Sequence, residues 1–218
     1  MSLIDREPGA LLDISPLVSA RTAVFPGDTP FSRRVALDFV RGDNLVLSAI
    51  ESTVHVGAHA DAPSHYTPKG ATIDGRALAR YVGPCQVVHV RVARGARIRP
   101  SDVPEPLVAP RVLFRTGTYP DPDQWNGDFA ALSPDLVHWL ADAGVTLVGI
   151  DTPSIDPADD AVLHAHAAVA ARDLAVLEGL VLDHVAPGRY GLIALPLRLE
   201  GADASPVRAV LIAEGGGS

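Results

Sequence analysis

Cysteine is almost missing from this chain: Cys85 stands alone among 218 residues, so no internal disulfide can form. A single thiol fits a reducing compartment and excludes the multi-thiolate ligand sets of structural zinc. Long apolar runs are missing too, with no stretch near the roughly 18 residues that a membrane span needs. Asp5, Arg6 and Glu7 stand where a secretory peptide would carry an apolar core, so the expected location is the cytoplasm. Basic charge is scarce: 18 Lys and Arg face 26 Asp and Glu, for a net charge of −8, and no basic patch interrupts the chain. That balance argues against nucleic acid and anionic membrane as partners. Repeats and inter-domain linkers are also absent, so 1–218 reads as one domain, with the glycines of 215–218 as a flexible tail. What remains is 47% hydrophobic and 20% charged, the profile of a globular protein. A chain of this length buries about 70% of its unfolded surface, so it needs neither disulfide nor metal merely to fold.

Against that background one stretch is dense in metal-binding groups. His55-Val56-Gly57-Ala58-His59-Ala60-Asp61-Ala62-Pro63-Ser64-His65 places three of the eight histidines and an aspartate within eleven residues. Imidazole nitrogen and carboxylate oxygen are the donors that bind zinc, cobalt or manganese. Val54, Gly57 and Pro63 disfavour helix, so the cluster is expected at a strand end and in the loop beyond it. In an extended backbone, positions 59 and 61 point to the same side. His55, His59 and Asp61 can therefore reach one metal, and three protein ligands leave a position open for water or substrate. His65 lies past Pro63, near the metal without being needed as a ligand, and is assigned as general acid/base because imidazole titrates near neutral pH. The alternative for His65 is simple packing or hydrogen bonding. His89, His138 and His184 read as ordinary strand, helix-surface and loop residues.

Elsewhere, residues 10–14, 35–39, 86–92, 111–114, 145–150, 192–199 and 207–212 read as strands, with an apolar run over 45–50. Ser133 and Pro134 open a helix that Gly144 ends, with Leu136, Leu140 and Ala143 at helical spacing. Residues 165–171 read as one or two helical turns. Many strands and few helices predict an α+β unit, a mixed β-rich sheet with helices on its outer faces. A second group, His164-Ala165-His166 followed by Asp173 and Glu178, is weak by spacing alone. Its interest is Glu178, set in the apolar run 174–182, where a carboxylate is normally paired or metal-bound. The alternative is that Glu178 points outward to solvent.

The histidine motif, extended through Tyr66, resembles the signature of the cyclase-type metal-dependent hydrolases. Further blocks are similar to the kynurenine formamidase (arylformamidase) branch: Phe25-Pro26-Gly27-Asp28-Thr29-Pro30-Phe31, Arg115-Thr116-Gly117-Thr118-Tyr119-Pro120, Gly149-Ile150-Asp151-Thr152-Pro153-Ser154 and Leu177-Glu178-Gly179-Leu180-Val181-Leu182-Asp183. The resemblance implies a swivelling β/β/α fold, a homodimer and two Zn²⁺ per subunit. His55, His59 and Asp61 would hold one zinc, and Asp61 would bridge to a second held by His166 and Glu178. His65 would be catalytic and His164 without a role. The implied reaction is hydrolysis of N-formyl-L-kynurenine to L-kynurenine and formate in tryptophan degradation. Phe25 would bind the substrate ring, at a position where related formamidases often carry tryptophan. Ala58 stands where the wider superfamily has threonine. Two other readings remain: a sibling amidohydrolase using one manganese on a cyclic amide such as isatin, and a metal-dependent binding protein without turnover.

Overall fold

The computed structural model describes residues 11–104 and 106–213. In chain order its strands are β1 (Leu11–Asp13), β2 (Ser32–Leu37), β3 (Leu47–Glu51), β4 (His59–Asp61), β5 (Val82–His89), β6 (Arg97–Ile98), β7 (Arg111–Arg115), β8 (Ala131–Leu132), β9 (Leu147–Ile150), β10 (Ala175–Glu178), β11 (Gly188–Ile193), β12 (Ala204–Pro206) and β13 (Val210–Ala213). Its α-helices are α1 (Pro63–Tyr66), α2 (Pro134–Asp142) and α3 (His164–Arg172).

Nine strands form one mixed sheet in the order β1-β13-β11-β5-β7-β9-β10-β4-β12. The middle four, β5-β7-β9-β10, are parallel, and both wings are antiparallel. β9 and β10 are buried at every position, as strands covered on both faces must be, and Glu178 is their one polar side chain. Side chains still sort by face. Leu113, Leu147 and Leu177 join an inner core with Cys85 and Val87. Val112, Phe114, Val148, Ile150 and Val176 join an outer core under Leu136, Val137 and Leu140 of α2 and Ala165 and Val169 of α3.

The sheet is strongly curled. β12 is one edge, and β13 lies beside the other edge, yet only Val207-Arg208-Ala209 joins them. Four residue steps span at most about 14 Å, so the two wings must approach each other. Backbone bonds from Val207 N–H to Ala58 O (2.9 Å) and from Ile14 N–H to Ala209 O (3.0 Å) tie the closure.

The architecture is the expected α+β one, a curled mixed sheet with few helices. Several element limits differ from expectation for local reasons. The strand expected over 35–39 is Ser32–Leu37, because the Asp38 side chain accepts the Val40 N–H and turns the chain into a 3₁₀ segment. The strand expected from 86 begins at Val82 and includes Gly83 and Pro84, residue types that locally disfavour a strand. The run 192–199 ends its strand at Ile193, and in 207–212 the strand begins only at Val210 because Val207-Arg208-Ala209 is the crossing. In α2, Ser133 Oγ accepts the Leu136 N–H as expected of the cap. Val137 is buried there, whereas Ala143 is the exposed C-cap. Ala10, the acidic N-terminal residues and the 215–218 tail lie outside the described residues. Among the described residues no helix is long and apolar enough to cross a membrane.

Candidate metal centre

The pairing of β10 with β4 brings the two sequence groups together. Glu178 lies opposite His59, and Val176 opposite Asp61, in antiparallel register. Alternation sends Ala60 and Leu177 to the inner core, so His59, Asp61 and Glu178 share the other face, toward α3. His55 lies in the turn before β4, and α1, opened by Pro63, carries His65. His166 enters from the first turn of α3.

The distances are short and most of these side chains are buried. His59 Nε2 lies 3.2 Å from Glu178 Oε2 and 3.5 Å from Asp61 Oδ1. His166 Nε2 lies 3.3 Å from Asp61 Oδ2 and 3.5 Å from Glu178 Oε1. His55 Nδ1 lies 3.1 Å from Asp61 Oδ1. His59, Asp61, His166 and Glu178 are all at most 3% exposed. Glu178 is thus buried rather than turned to solvent, and Ile155 N–H donates to its Oε1 at 2.7 Å.

Within this cluster two buried atoms have no hydrogen-bond partner: His59 Nε2 and Asp61 Oδ1. His59 Nδ1 is 2.9 Å from Gly57 O, a bond that only an N–H can make. In the neutral ring Nε2 is then a lone pair, facing carboxylate oxygens that are themselves acceptors. Buried acceptors pointed at one another are costly, and a cation between them removes the cost. Ligand atoms of His59, Asp61 and Glu178 all lie within 4.8 Å of one another, as do those of His55, Asp61 and His65. The donor set, imidazole and carboxylate, suits a borderline divalent ion such as zinc.

Burial alone would push the Asp61 carboxyl up, but the hydrogen bond from His166 and the proximity of His55 and His59 hold it well below the usual range. Burial and the charge of Asp61 oppose ionisation of Glu178, yet His166 and His59 keep its pKa low. Burial likewise disfavours charged His55, but the Asp61 hydrogen bond and charge, with Asp203, push it up to about 9. His166 is raised against its burial by Asp156, Asp61 and Glu178.

A second layer holds the histidines. Asp156, fully buried, takes His166 Nδ1–H at 2.9 Å and the backbone N–H groups of Ala165 and His166, capping α3. Arg97 Nη1 donates to the other Asp156 oxygen at 2.8 Å. Such a carboxylate–histidine pair leaves Nε2 free as a ligand. Asp203 Oδ2 lies 3.0 Å from His55 Nε2 and 3.3 Å from His65 Nδ1. His164 is outside the cluster, paired with Asp160 at 2.8 Å. Asp173 is also remote, bound to Arg76 at 3.0 Å.

The cluster forms the floor of a cavity of about 850 Å³ lined by His55, His59, His65, His166 and Glu178, with Phe25, Tyr119 and Pro120 on its wall. Phe25 is 37% exposed and packs edge-on against Trp125, ring centroids 4.8 Å apart. Sequence reasoning missed Asp156, Asp203 and Trp125. Asp156 carried a usable signal, an acidic residue shortly before a histidine-bearing helix; the other two meet the site only through the fold.

The family model described as "Putative cyclase" matches residues 12–157. The "Kynurenine formamidase" of Paracidovorax citrulli (strain AAC00-1) is 48% identical over 210 residues, covering 94% of this chain and 97% of that protein. The "Kynurenine formamidase" of Bordetella petrii is 46% identical over 203 residues, covering 92% of this chain and 97% of that one. Among solved structures, "The Structure Of Potential Metal-Dependent Hydrolase With Cyclase Activity" superposes with a TM-score of 0.82 at 27% identity, covering 94% of this chain and 98% of the other.

Proposed function

The chain belongs to the cyclase family, and from that membership we propose that it hydrolyses N-formyl-L-kynurenine to L-kynurenine and formate with two Zn²⁺ per subunit. The observation that carries this reading is the buried acceptor cluster His59, Asp61 and Glu178 at the floor of an aromatic-walled cavity. Near-identical length and 46–48% identity to two proteins named kynurenine formamidase support the choice of substrate. His55, His59 and Asp61 would hold one zinc; Asp61, His166 and Glu178 would hold the other. Bound zinc supplies Lewis acidity and makes water nucleophilic near neutral pH.

The chain's own residues do the rest. Phe25, stiffened by Trp125, offers a flat apolar face for the aryl ring. Asp156 and the Gly57 carbonyl fix the tautomers of His166 and His59. His65, at the cavity surface, takes a proton from the attacking water and returns it to the aryl amine as the C–N bond breaks. An anilide nitrogen leaves readily because its lone pair is shared with the ring.

A homodimer is part of the proposal. β2 and β3 form a hairpin that pairs with no other strand among the described residues, and every residue of β3 is exposed. Phe39, Val40, Leu47 and Ile50 are 52–93% exposed on it and its flank. An isolated hairpin is marginal in water, and exposed apolar groups of this kind mark an interface, here with a second copy. Val40→Asp with Ile50→Asp should yield monomers by light scattering. A cytoplasmic setting accords with the single thiol.

The test follows kynurenine absorbance in metal-analysed protein given N-formyl-L-kynurenine, with and without chelator. Turnover should vanish on chelation, and His65→Ala should lose about 10²–10⁴-fold in kcat with zinc unchanged. Turnover of isatin but not of the formamide, with one metal per subunit, would replace this reading by the cyclic-amide one.

A further inference from the structure

We propose that Asp203 is a positioning residue that holds His65 with Nε2 toward the reacting C–N bond, an inference that rests on the formamidase reading above. A single carboxylate oxygen, Asp203 Oδ2, lies 3.3 Å from His65 Nδ1 and 3.0 Å from His55 Nε2. A carboxylate only accepts, so both ring nitrogens that face it must be N–H donors. That fixes His65 as the Nδ1–H form and leaves Nε2 to exchange the proton. It also holds His55 through Nε2–H, so that Nδ1, 3.1 Å from Asp61, is the nitrogen that would give up its proton to serve as a metal ligand. One side chain therefore sets the tautomers of a metal-facing ring and of the acid/base ring, whose centroids are 4.3 Å apart.

The main chain, not the carboxylate, holds this residue in place. Asp203 O accepts Ala62 N–H at 2.8 Å, and the next residue, Ala204, pairs with Asp61 between β12 and β4. The Asp203 side chain is 48% exposed and faces the cavity, so removing it costs little packing. In the catalytic step His65 Nε2 receives the proton of the attacking water and delivers it to the amine nitrogen, which takes the C–N electron pair. Throughout, Nδ1–H stays on Asp203, and the carboxylate stays ionised, countering the transient imidazolium.

The experiment compares wild type, Asp203→Ala, Asp203→Asn, His65→Ala and His65→Ala/Asp203→Ala as zinc-loaded enzymes. Substrates are N-formyl-L-kynurenine and N-formyl-4-nitroaniline, whose amine leaves with little need of a proton. Asp203→Ala should lose about 10–100-fold in kcat on the first substrate, with KM and zinc per subunit unchanged. Asp203→Asn, which keeps an acceptor without the charge, should lose less. The loss should be clearly smaller on the nitroanilide, which still needs the water proton removed but hardly needs its amine protonated, and the double variant should be no slower than His65→Ala alone. Equal losses on both substrates, multiplicative losses in the double variant, or zinc loss that accounts for the defect would overturn the proposal. A His65→Ala enzyme with wild-type turnover would instead remove the reading beneath it.

Discussion

Gly179 follows Glu178 directly, and its replacement by alanine tests whether the two halves of the site are held by backbone contact. Gly179 has φ +64°, and a Cβ built there would lie 2.1 Å from Gly57 O and 2.8 Å from Gly57 C. The left-handed conformation costs an L-residue about 1–2 kcal/mol, and forcing a methyl against backbone costs about 1–3 kcal/mol more. The sum, about 2–5 kcal/mol, is a large part of the roughly 5–15 kcal/mol that stabilises a domain. The obstacle is no flexible side chain but the carbonyl that fixes His59 Nδ1 at 2.9 Å. Relief must therefore move the turn carrying His55 and His59 away from Glu178, widening the 3.2 Å approach of His59 to Glu178. Urea unfolding of chelator-treated Gly179→Ala and wild type measures the packing cost without metal linkage. Zinc competition against a fluorescent chelator then measures the site. Stability within about 0.5 kcal/mol of wild type, with unchanged zinc affinity, would refute the reasoning.

Other perturbations separate packing from chemistry. Asp156→Asn should weaken zinc binding about 10–100-fold, read by the same competition, because His166 loses its ionised partner. Phe114→Ala, at a fully buried position under α2 and α3, should cost about 3–5 kcal/mol in urea unfolding. Cys85 is 1% exposed and its thiol is pushed up to about 12 by burial, so it should react with Ellman's reagent only on unfolding. In metal-free protein the pKa of His55 rises from 6.5 to about 9, so its stabilising contribution is complete below 6.5 and disappears as pH climbs toward 9. By the same sign, zinc binding at pH 7 should release protons, measurable by calorimetry in buffers of different ionisation enthalpy.

Short-range features of the chain were legible. The spacing of His59 and Asp61 foretold a shared face, and the structure makes that segment a strand. The Ser133 cap of α2 was readable because capping involves atoms three residues apart. Strand limits failed where a tertiary partner overrode local preference. Gly83 and Pro84 lie in β5 because β11 pairs alongside them, with Leu192 opposite Gly83 and Gly191 opposite Pro84. The run 207–212 broke because the chain uses Val207-Arg208-Ala209 to cross between wings of the curled sheet, a demand that hydropathy does not encode.

The sequence alone determined which groups are available: a dense set of imidazoles and carboxylates, a lone thiol, and apolar runs long enough for a buried sheet but not for a membrane span. Donor chemistry belongs to the side chain and needs no fold to be read. The fold alone decided which of these groups meet. Strand register set Glu178 against His59, α3 brought His166 over Asp61, and the edge strand delivered Asp203 to His65 across 138 residues. Such meetings depend on long-range pairing and closure of the sheet, for which spacing along the chain carries no signal.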